Sequence, residues 1–396
     1  MKMEIPSPVL HSLFALNQAG YEAFVVGGCV RDALRGKEPD DWDITTSAFP
    51  EQTLAVFQDY RTIETGIQHG TITVVIEDMP LEITTYRVDG EYSDGRHPDN
   101  VSFTRNLKED LQRRDFTINA MAYHPDLGLV DPFEGEKDLV DKMIRCVGDP
   151  ERRFQEDALR ILRGLRFSSI LGFTIDDATS NAIHNLAHNL SNVSAERIAV
   201  ELNKLLCGDS VQGILSEYVD VFSGILPEKL DYRSIAPLVS QVEATVLTRY
   251  VALLFSLDED SVLSIAKHLR FSGRFTNDLT TIIRYKNDGL INDDASVLHL
   301  LHHLGPELSR VLVAVRRVYD GVDYTSVMAR IEKLITDKAC YSLSNLAVKG
   351  ADLLEVGIAP GPALGKVLTI LLESVMNGEL VNEKNALLEY ASCIEI

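Results

Sequence analysis

"FVVGGCVRDALRGKEPDDWDITT", residues 24–46, places an apolar run, a glycine pair and three aspartates around the chain's single tryptophan. The preceding "YEAFVV" reads as a buried strand that ends in Gly27-Gly28, and "VRDALRG" as a short helix closed by Gly36. If "DWDIT" is the next strand, its side chains alternate between faces. Asp41, Asp43 and Thr45 then share one face, with Trp42 and Ile44 on the other. Neighbouring carboxylates repel and strands disfavour aspartate, so the pair needs compensation. A divalent cation would supply it; the alternative is a solvated acidic turn. Asp40 falls on the opposite face and reads as turn or solvent.

The whole chain narrows the choice. Its 396 residues are 45% hydrophobic and 24% charged, enough for a sizeable core and two to four domains. No run of some 20 apolar residues exists, so no membrane partner is expected. The opening "MKMEIPSPVLHSLFALNQAG" is broken by Pro6, Pro8, His11 and Asn17 and does not read as a signal peptide. Five scattered cysteines without a CxxC pair argue for no disulfide partner, no zinc site and a reduced cytoplasm. The absence of any His-Asp dipeptide leaves an HD-type phosphohydrolase unsupported. A net charge of −21 points away from nucleic acid unless the basic residues cluster. They do cluster: Arg105, Lys108, Arg113 and Arg114 in one stretch, and Arg152, Arg153, Arg160, Arg163 and Arg166 in another.

Organisation changes near residue 150. Before it, short strands and helices mix; "TITVVIED" (71–78) and "LEITTYR" (81–87) predict an antiparallel pair joined at Met79-Pro80, and "NLKEDLQRRDFTINAMAY" predicts a helix. After it, "DPERRFQEDALRILRGLRFSSILGF" predicts one strong helix, and almost only helical segments follow. The fold class expected is an α/β head with a small mixed sheet, followed by an all-α remainder.

Three constellations carry chemistry. In "GGCVRD", the glycines let backbone approach a ligand, Gly28 opens a helix whose N–H groups suit phosphate, and Arg31 adds charge. A glycine pair, a helix and then DxD is the layout of a nucleotidyltransferase palm. There two divalent cations, Mg²⁺, bridged by aspartates would serve an in-line phosphoryl displacement. Asp41 and Asp43 are the expected ligands, and Glu82 on a neighbouring strand is a candidate third carboxylate or an exposed edge residue. In "RRDFTINA", Arg114, Asp115 and Asn119 would share a helical face, arginine for a triphosphate and Asp/Asn for ribose hydroxyls, or else form a surface pair. In "EDALRILRGLRF", Asp157 and Arg160 stand three apart on a helix. Aspartate accepts from the amino group of cytosine or adenine while arginine donates to the adjacent ring nitrogen. Guanine and uracil would meet acceptor with acceptor and donor with donor. An intrahelical salt bridge is the alternative.

Together and in this order, these motifs resemble the class II tRNA nucleotidyltransferases, the CCA-adding enzymes of the DNA polymerase beta-like superfamily. The third family motif is similar to "DPFEGEKDL" (131–139), with Glu134 where a glycine is more usual, and the fifth to "SAERIAVEL" (194–202). The tail "GELVNEKNAL" resembles the end of the shorter bacterial members. The resemblance implies a seahorse-like chain: head 1–147, neck 148–206 selecting the base, body 207–330 and tail 331–396 binding tRNA. It also implies that Asp157 and Arg160 serve as an amino-acid template for CTP and then ATP, with Glu156 supporting the arginine. Arg163 and Arg166 would join the nucleotide site. The implied partners are CTP, ATP and the tRNA acceptor end, the last contacted by Arg152, Arg153 and Lys366; the oligomeric state is left open.

Within that family, full CCA addition competes with A-only or CC-only addition and with poly(A) polymerase. The loop "RVDGEYSDGRHPDNVSF" (87–103), with Tyr92, Asp94 and Arg96, resembles the segment used to switch from C to A. A complete loop lowers the CC-only reading, and the lack of a basic C-terminal extension lowers poly(A) polymerase. A non-catalytic RNA-binding relative would have lost a metal aspartate, and both are present.

Overall fold

The computed structural model describes residues 3–90 and 101–394. Tyr92, Asp94 and Arg96 of the expected specificity loop lie outside the described residues. The chain divides into two compact units, Met1–Arg233 and Ser234–Ile396.

The first unit is built around β1 (Ala23–Val26), which is apolar and buried at every position and therefore central. It pairs antiparallel with β2 (Asp43–Thr46). Next in the chain come β3 (Arg61–Ile63), β4 (Thr71–Ile76), β5 (Met79–Thr85), β6 (Arg87–Asp89) and β7 (Val101–Phe103), then β8 (Ala122–His124) and β9 (Gly128–Val130). The main sheet runs β3-β4-β5-β2-β1-β8-β9, mixed because β2 and β5 are parallel; β6 and β7 pair separately. One sheet face sends Val25, Ile44, Ile72, Val74 and Ile83 into a core closed by α1 (Ser7–Gln18), α2 (Gly28–Leu34) and α3 (Pro50–Val56). Trp42 joins that core, so the expected alternation along "DWDIT" holds: tryptophan and isoleucine inward, Asp41 and Asp43 exposed. The other face carries a smaller cluster of Phe24, Val26, Tyr86, Leu111 and Ala122 under α4 (Leu107–Gln112). That leaves room on this face for polar groups.

Three local expectations are corrected. The β4–β5 hairpin turns at Glu77 and Asp78, both left-handed (φ 50° and 62°), rather than at Met79-Pro80. Two consecutive left-handed residues match the twist of the flanking strands. Pro80 sits inside β5 opposite Val75, before that strand begins to pair with β2 at Glu82. The predicted helix over "NLKEDLQRRDFTINAMAY" stops at Gln112. Beyond it the backbone runs beside residues 145–147, with Thr117 N–H donating to Arg145 and Val147 N–H to Asp115. It then makes a single 3₁₀ turn, Thr117–Asn119, and enters β8. Burial of Phe116 and Ile118 and pairing to a distant segment override local helical tendency.

The third correction lies in the arginine-rich segment. After α5 (Gly135–Val140) and a two-residue strand β10 (Met143–Ile144), the chain forms α6 (Pro150–Glu156) and α7 (Leu159–Leu171), two helices and not one. Asp157 separates them with φ −145° and ψ 105°, and its carboxylate accepts the N–H of Leu159 at 3.0 Å. An aspartate side chain that competes for backbone donors favours helix starts over helix interiors. A strand β11 (Thr174–Ile175) pairs parallel with β10, a small exception to the all-helical expectation. Then α8 (Asp177–Leu186) and α9 (Ala195–Leu206) continue the unit.

The second unit is helical throughout its described elements, among them Val246–Leu254, Gly273–Arg284, Asp294–Asp320 and Pro362–Met376. The helix over 294–320 breaks at Gly305 (φ 69°), just before Pro306. Among the described residues no helix is long and apolar enough to cross a membrane.

Candidate active site

A cavity of about 600 Å³ opens in the first unit, on the polar face of the sheet. The first motif lines it with Gly28, Arg31, Asp41 and Asp43, the second with Arg114, Asp115 and Asn119, and the fourth with Asp157, Arg160, Arg163 and Arg166. Eleven residues singled out from the sequence thus share one wall system, although they come from segments more than a hundred residues apart.

At the acidic end, β2 presents Asp43 and the residues before it present Asp41. Partial burial raises the Asp43 carboxyl above its ordinary value; Glu82 and Asp41 add to the rise, and Arg114 opposes it. Glu82 stands directly opposite Asp43 across the parallel β2–β5 pair, so the two share a face. It is exposed and does not line the cavity itself. Among the described residues no three acidic, histidine or cysteine side chains close into a ready-made metal cage. A pair of crowded carboxylates in an open cleft nonetheless fits Mg²⁺, which holds on to several waters and takes further oxygens from substrate phosphates.

Gly27 sets the distance between this end and the cationic wall. Its φ of 82° with ψ −129° suits glycine alone, and a Cβ there would lie 2.9 Å from the Arg114 guanidinium. Arg114 is partly buried in the cavity wall; burial lowers its pKa, while Asp110 and Asp43 oppose the fall. Arg31 donates to Asn119 at 2.7 Å and to Asp32 at 2.6 Å, tying the first motif to the second. Asn119 in turn donates to Asp115 at 3.3 Å, so the intended grouping survives without the helix that was expected to create it.

Asp115 is buried, which alone would raise its pKa. The Arg163 guanidinium at 2.7 Å, with Arg160 and the Phe116 N–H, outweighs burial and holds it at about 2. Arg166 pairs with buried Glu201 of α9 at 3.2 Å. Arg160 is braced by Glu156 at 2.8 Å and by the carbonyl oxygens of Arg153 and Arg113. Asp157 is held instead by Arg197 of α9, at 2.8 Å. The two residues expected on one helix face are therefore anchored separately, Arg160 on α7 and Asp157 in the break before it.

Other expected residues sit elsewhere. Arg153 is 8% exposed and donates to Val147 and Glu156, so it braces the partner of Arg160 and does not face solvent. Arg152 is exposed and pairs with Glu156 at 3.2 Å. Lys366 is exposed near the start of the helix over 362–376, in the second unit. The third motif supports the second. Asp131 accepts the N–H groups of Gly135 and Glu136, and Asp138 accepts the Thr117 hydroxyl at 2.6 Å. Glu134 is left-handed (φ 61°), a backbone that favours the glycine the resemblance leads one to expect there.

Sequence reasoning missed three groups. Asp110, with no exposure, accepts from Arg113 at 2.8 Å and from the Thr45 hydroxyl at 3.2 Å, joining the second motif to the strand of Asp43. Arg197 and Glu201 lie inside the fifth motif, to which no roles were given. An available signal was an acid at 201 on the same helical face as Ile198, Leu202 and Leu205.

Comparison with known proteins points to one family. Residues 23–145 match the poly A polymerase head domain, 172–227 a probable RNA and SrmB-binding site of polymerase A, and 244–391 a putative tRNA nucleotidyltransferase domain 2. The CCA-adding enzyme of Enterococcus faecalis is 37% identical over 394 residues, covering 97% of this chain and 94% of its own. That of Limosilactobacillus fermentum is 36% identical over 97% of this chain and 96% of its own. The Bacillus stearothermophilus CCA-adding enzyme, solved in complex with CTP, superposes with a TM-score of 0.84 at 30% identity, covering 98% of this chain and 97% of its own. Kinship at this level along the full length, on a polymerase beta-like head, shows that the chain belongs to the CCA-adding enzyme family.

Proposed function

We propose that this protein adds or restores the 3′-terminal CCA of tRNA, using CTP and ATP and releasing pyrophosphate. The observation that carries the reading is one cavity lined by both an aspartate pair and a separately braced Asp157 and Arg160. Asp41 and Asp43 would hold two Mg²⁺ ions, with Glu82 beside them. Bound there, the metal would supply activation of the attacking hydroxyl and neutralisation of the leaving group. Gly28 and Arg31, with Arg114, would meet the triphosphate, and Asp115 and Asn119 the ribose.

Asp157 and Arg160 would read the base. Glu156 and Arg197 hold them in place beforehand, so little ordering is left to the nucleotide. Because both are anchored to protein groups, a base with the wrong donor order leaves buried polar groups unpaired. Arg152 and Lys366 would touch tRNA phosphates, which position without reading sequence. In this reading the chain is organised as head 1–147, neck 148–206, body 207–330 and tail 331–396, and works in the cytoplasm.

A-only addition and poly(A) synthesis share the head chemistry, and the poly A polymerase head match spans residues 23–145. The full-length kinship favours CCA addition. Primer extension decides it, on tRNAs lacking CCA, CA or A, with CTP alone, ATP alone and both. Two C additions with CTP alone, then one A when ATP is added, is the expected result. No C incorporation would leave A-only addition, and a long A tail on unrelated RNA would leave poly(A) polymerase.

A further inference from the structure

We propose that Phe167 is a positioning residue for the triphosphate, its ring gathering three arginines from two motifs onto one cavity wall. The guanidinium carbons of Arg166, Arg31 and Arg163 lie 4.3, 5.2 and 5.5 Å from its ring centroid. Phe167 is 7% exposed and lines the cavity beside them. Phe116 meets it edge-on, at 5.9 Å and 81°, and Phe116 in turn packs against Gly164 on α7. The ring is therefore held from behind while its surroundings carry cations.

Three like charges within reach of one ring repel one another. Their carboxylate partners pull them apart: Asp32 for Arg31, Asp115 for Arg163 and Glu201 for Arg166. The Phe167 ring is the element all three share. An aromatic face attracts guanidinium through its quadrupole and accepts stacking by the planar group. It does so without taking N–H donors, which stay available for phosphate oxygens. A carboxylate in its place would consume those donors and repel a triphosphate, and an aliphatic side chain would pack the stems without attracting the charges.

The inference rests on the reading of this cavity as a nucleotide site. It predicts an effect on the triphosphate common to CTP and ATP, with base choice untouched. Fluorinated phenylalanines incorporated at position 167 weaken the quadrupole while nearly keeping shape. Across that series the KM for CTP and for ATP should rise in parallel, by roughly tenfold at full fluorination. The turnover number and the preference over UTP and GTP should stay level. Magnesium pyrophosphate, titrated calorimetrically against the same proteins, should weaken in step and needs no tRNA substrate. A flat KM and pyrophosphate series, or a loss that follows melting temperature and not fluorine count, overturns the role of Phe167. Failure of the unaltered chain to extend tRNA would instead overturn the reading of the cavity.

Discussion

At one end of the cavity, Asp41 and Asp43 stand exposed beside Glu82, with Arg114 as the cation opposing their charge. At the other, Arg160, Arg163 and Arg166 are each already committed to a carboxylate: Glu156, Asp115 and Glu201. The acidic end is left short of positive charge, and burial with like charge pushes the Asp43 carboxyl up. The basic end is balanced within the protein and its side chains are fixed before any ligand arrives. A site that must accept metal with each substrate needs the first kind of wall. A site that must hold a triphosphate and discriminate between bases needs the second, because discrimination depends on groups that do not move to accommodate the wrong partner.

The sharpest way to break this contrast is Asp43→Ala. Incorporation of every nucleotide should fall by about a thousandfold or more, while tRNA binding, followed by filter retention, stays within about twofold. Substantial residual turnover would remove the metal assignment. Gly27→Ala acts where the two ends meet. A methyl group at 2.9 Å from the Arg114 guanidinium, on a backbone at φ 82°, must displace one or the other. Misplacement on the order of 1 Å should cost about a hundredfold in kcat/KM, and unchanged kinetics would show that Arg114 need not be held there.

The basic end can be probed through stability. The folded-state pKa of Asp115, about 2, lies below its ordinary 3.8. Its pairing with Arg163 therefore stabilises the fold fully above that ordinary value, and the contribution is lost as pH falls through about 2. Denaturant unfolding across this acid range should show a loss of about 2 kcal/mol that Asp115→Asn lacks. Equal acid slopes for the two proteins would contradict the balance inferred here. Arg197→Ala frees Asp157 without touching the acidic end. The ratio of CTP to UTP incorporation should fall by about tenfold with turnover of CTP largely kept; an unchanged ratio would make Arg197 only a packing residue.

What could be read in advance followed from local pattern. Alternation along "DWDIT" placed Asp41 and Asp43 on one face because Trp42 and Ile44 are drawn into the core. The glycine pair signalled close backbone approach, and Gly27 does adopt a backbone that suits glycine alone. The breaks escaped because distant partners decide them. Arg114 to Asn119 left the helical path to pair with residues 145–147, and Asp157 turned out of its helix toward Arg197, forty positions on. The turn at Glu77-Asp78 also went unseen, since Glu77 is not a usual left-handed residue and the nearby Pro80 was the stronger signal. Buried Asp110 was invisible because its value lies in holding Arg113 and Thr45, which no linear spacing relates.

The central claim is that chemistry and base choice reside on different walls of one cavity. Single-nucleotide extension of CCA-less tRNA by Asp157→Ala, measured with each of the four triphosphates in turn, tests it most directly. The account predicts that CTP turnover persists at a reduced level while UTP or GTP incorporation rises toward it. Unchanged rejection of UTP and GTP by this variant would contradict it.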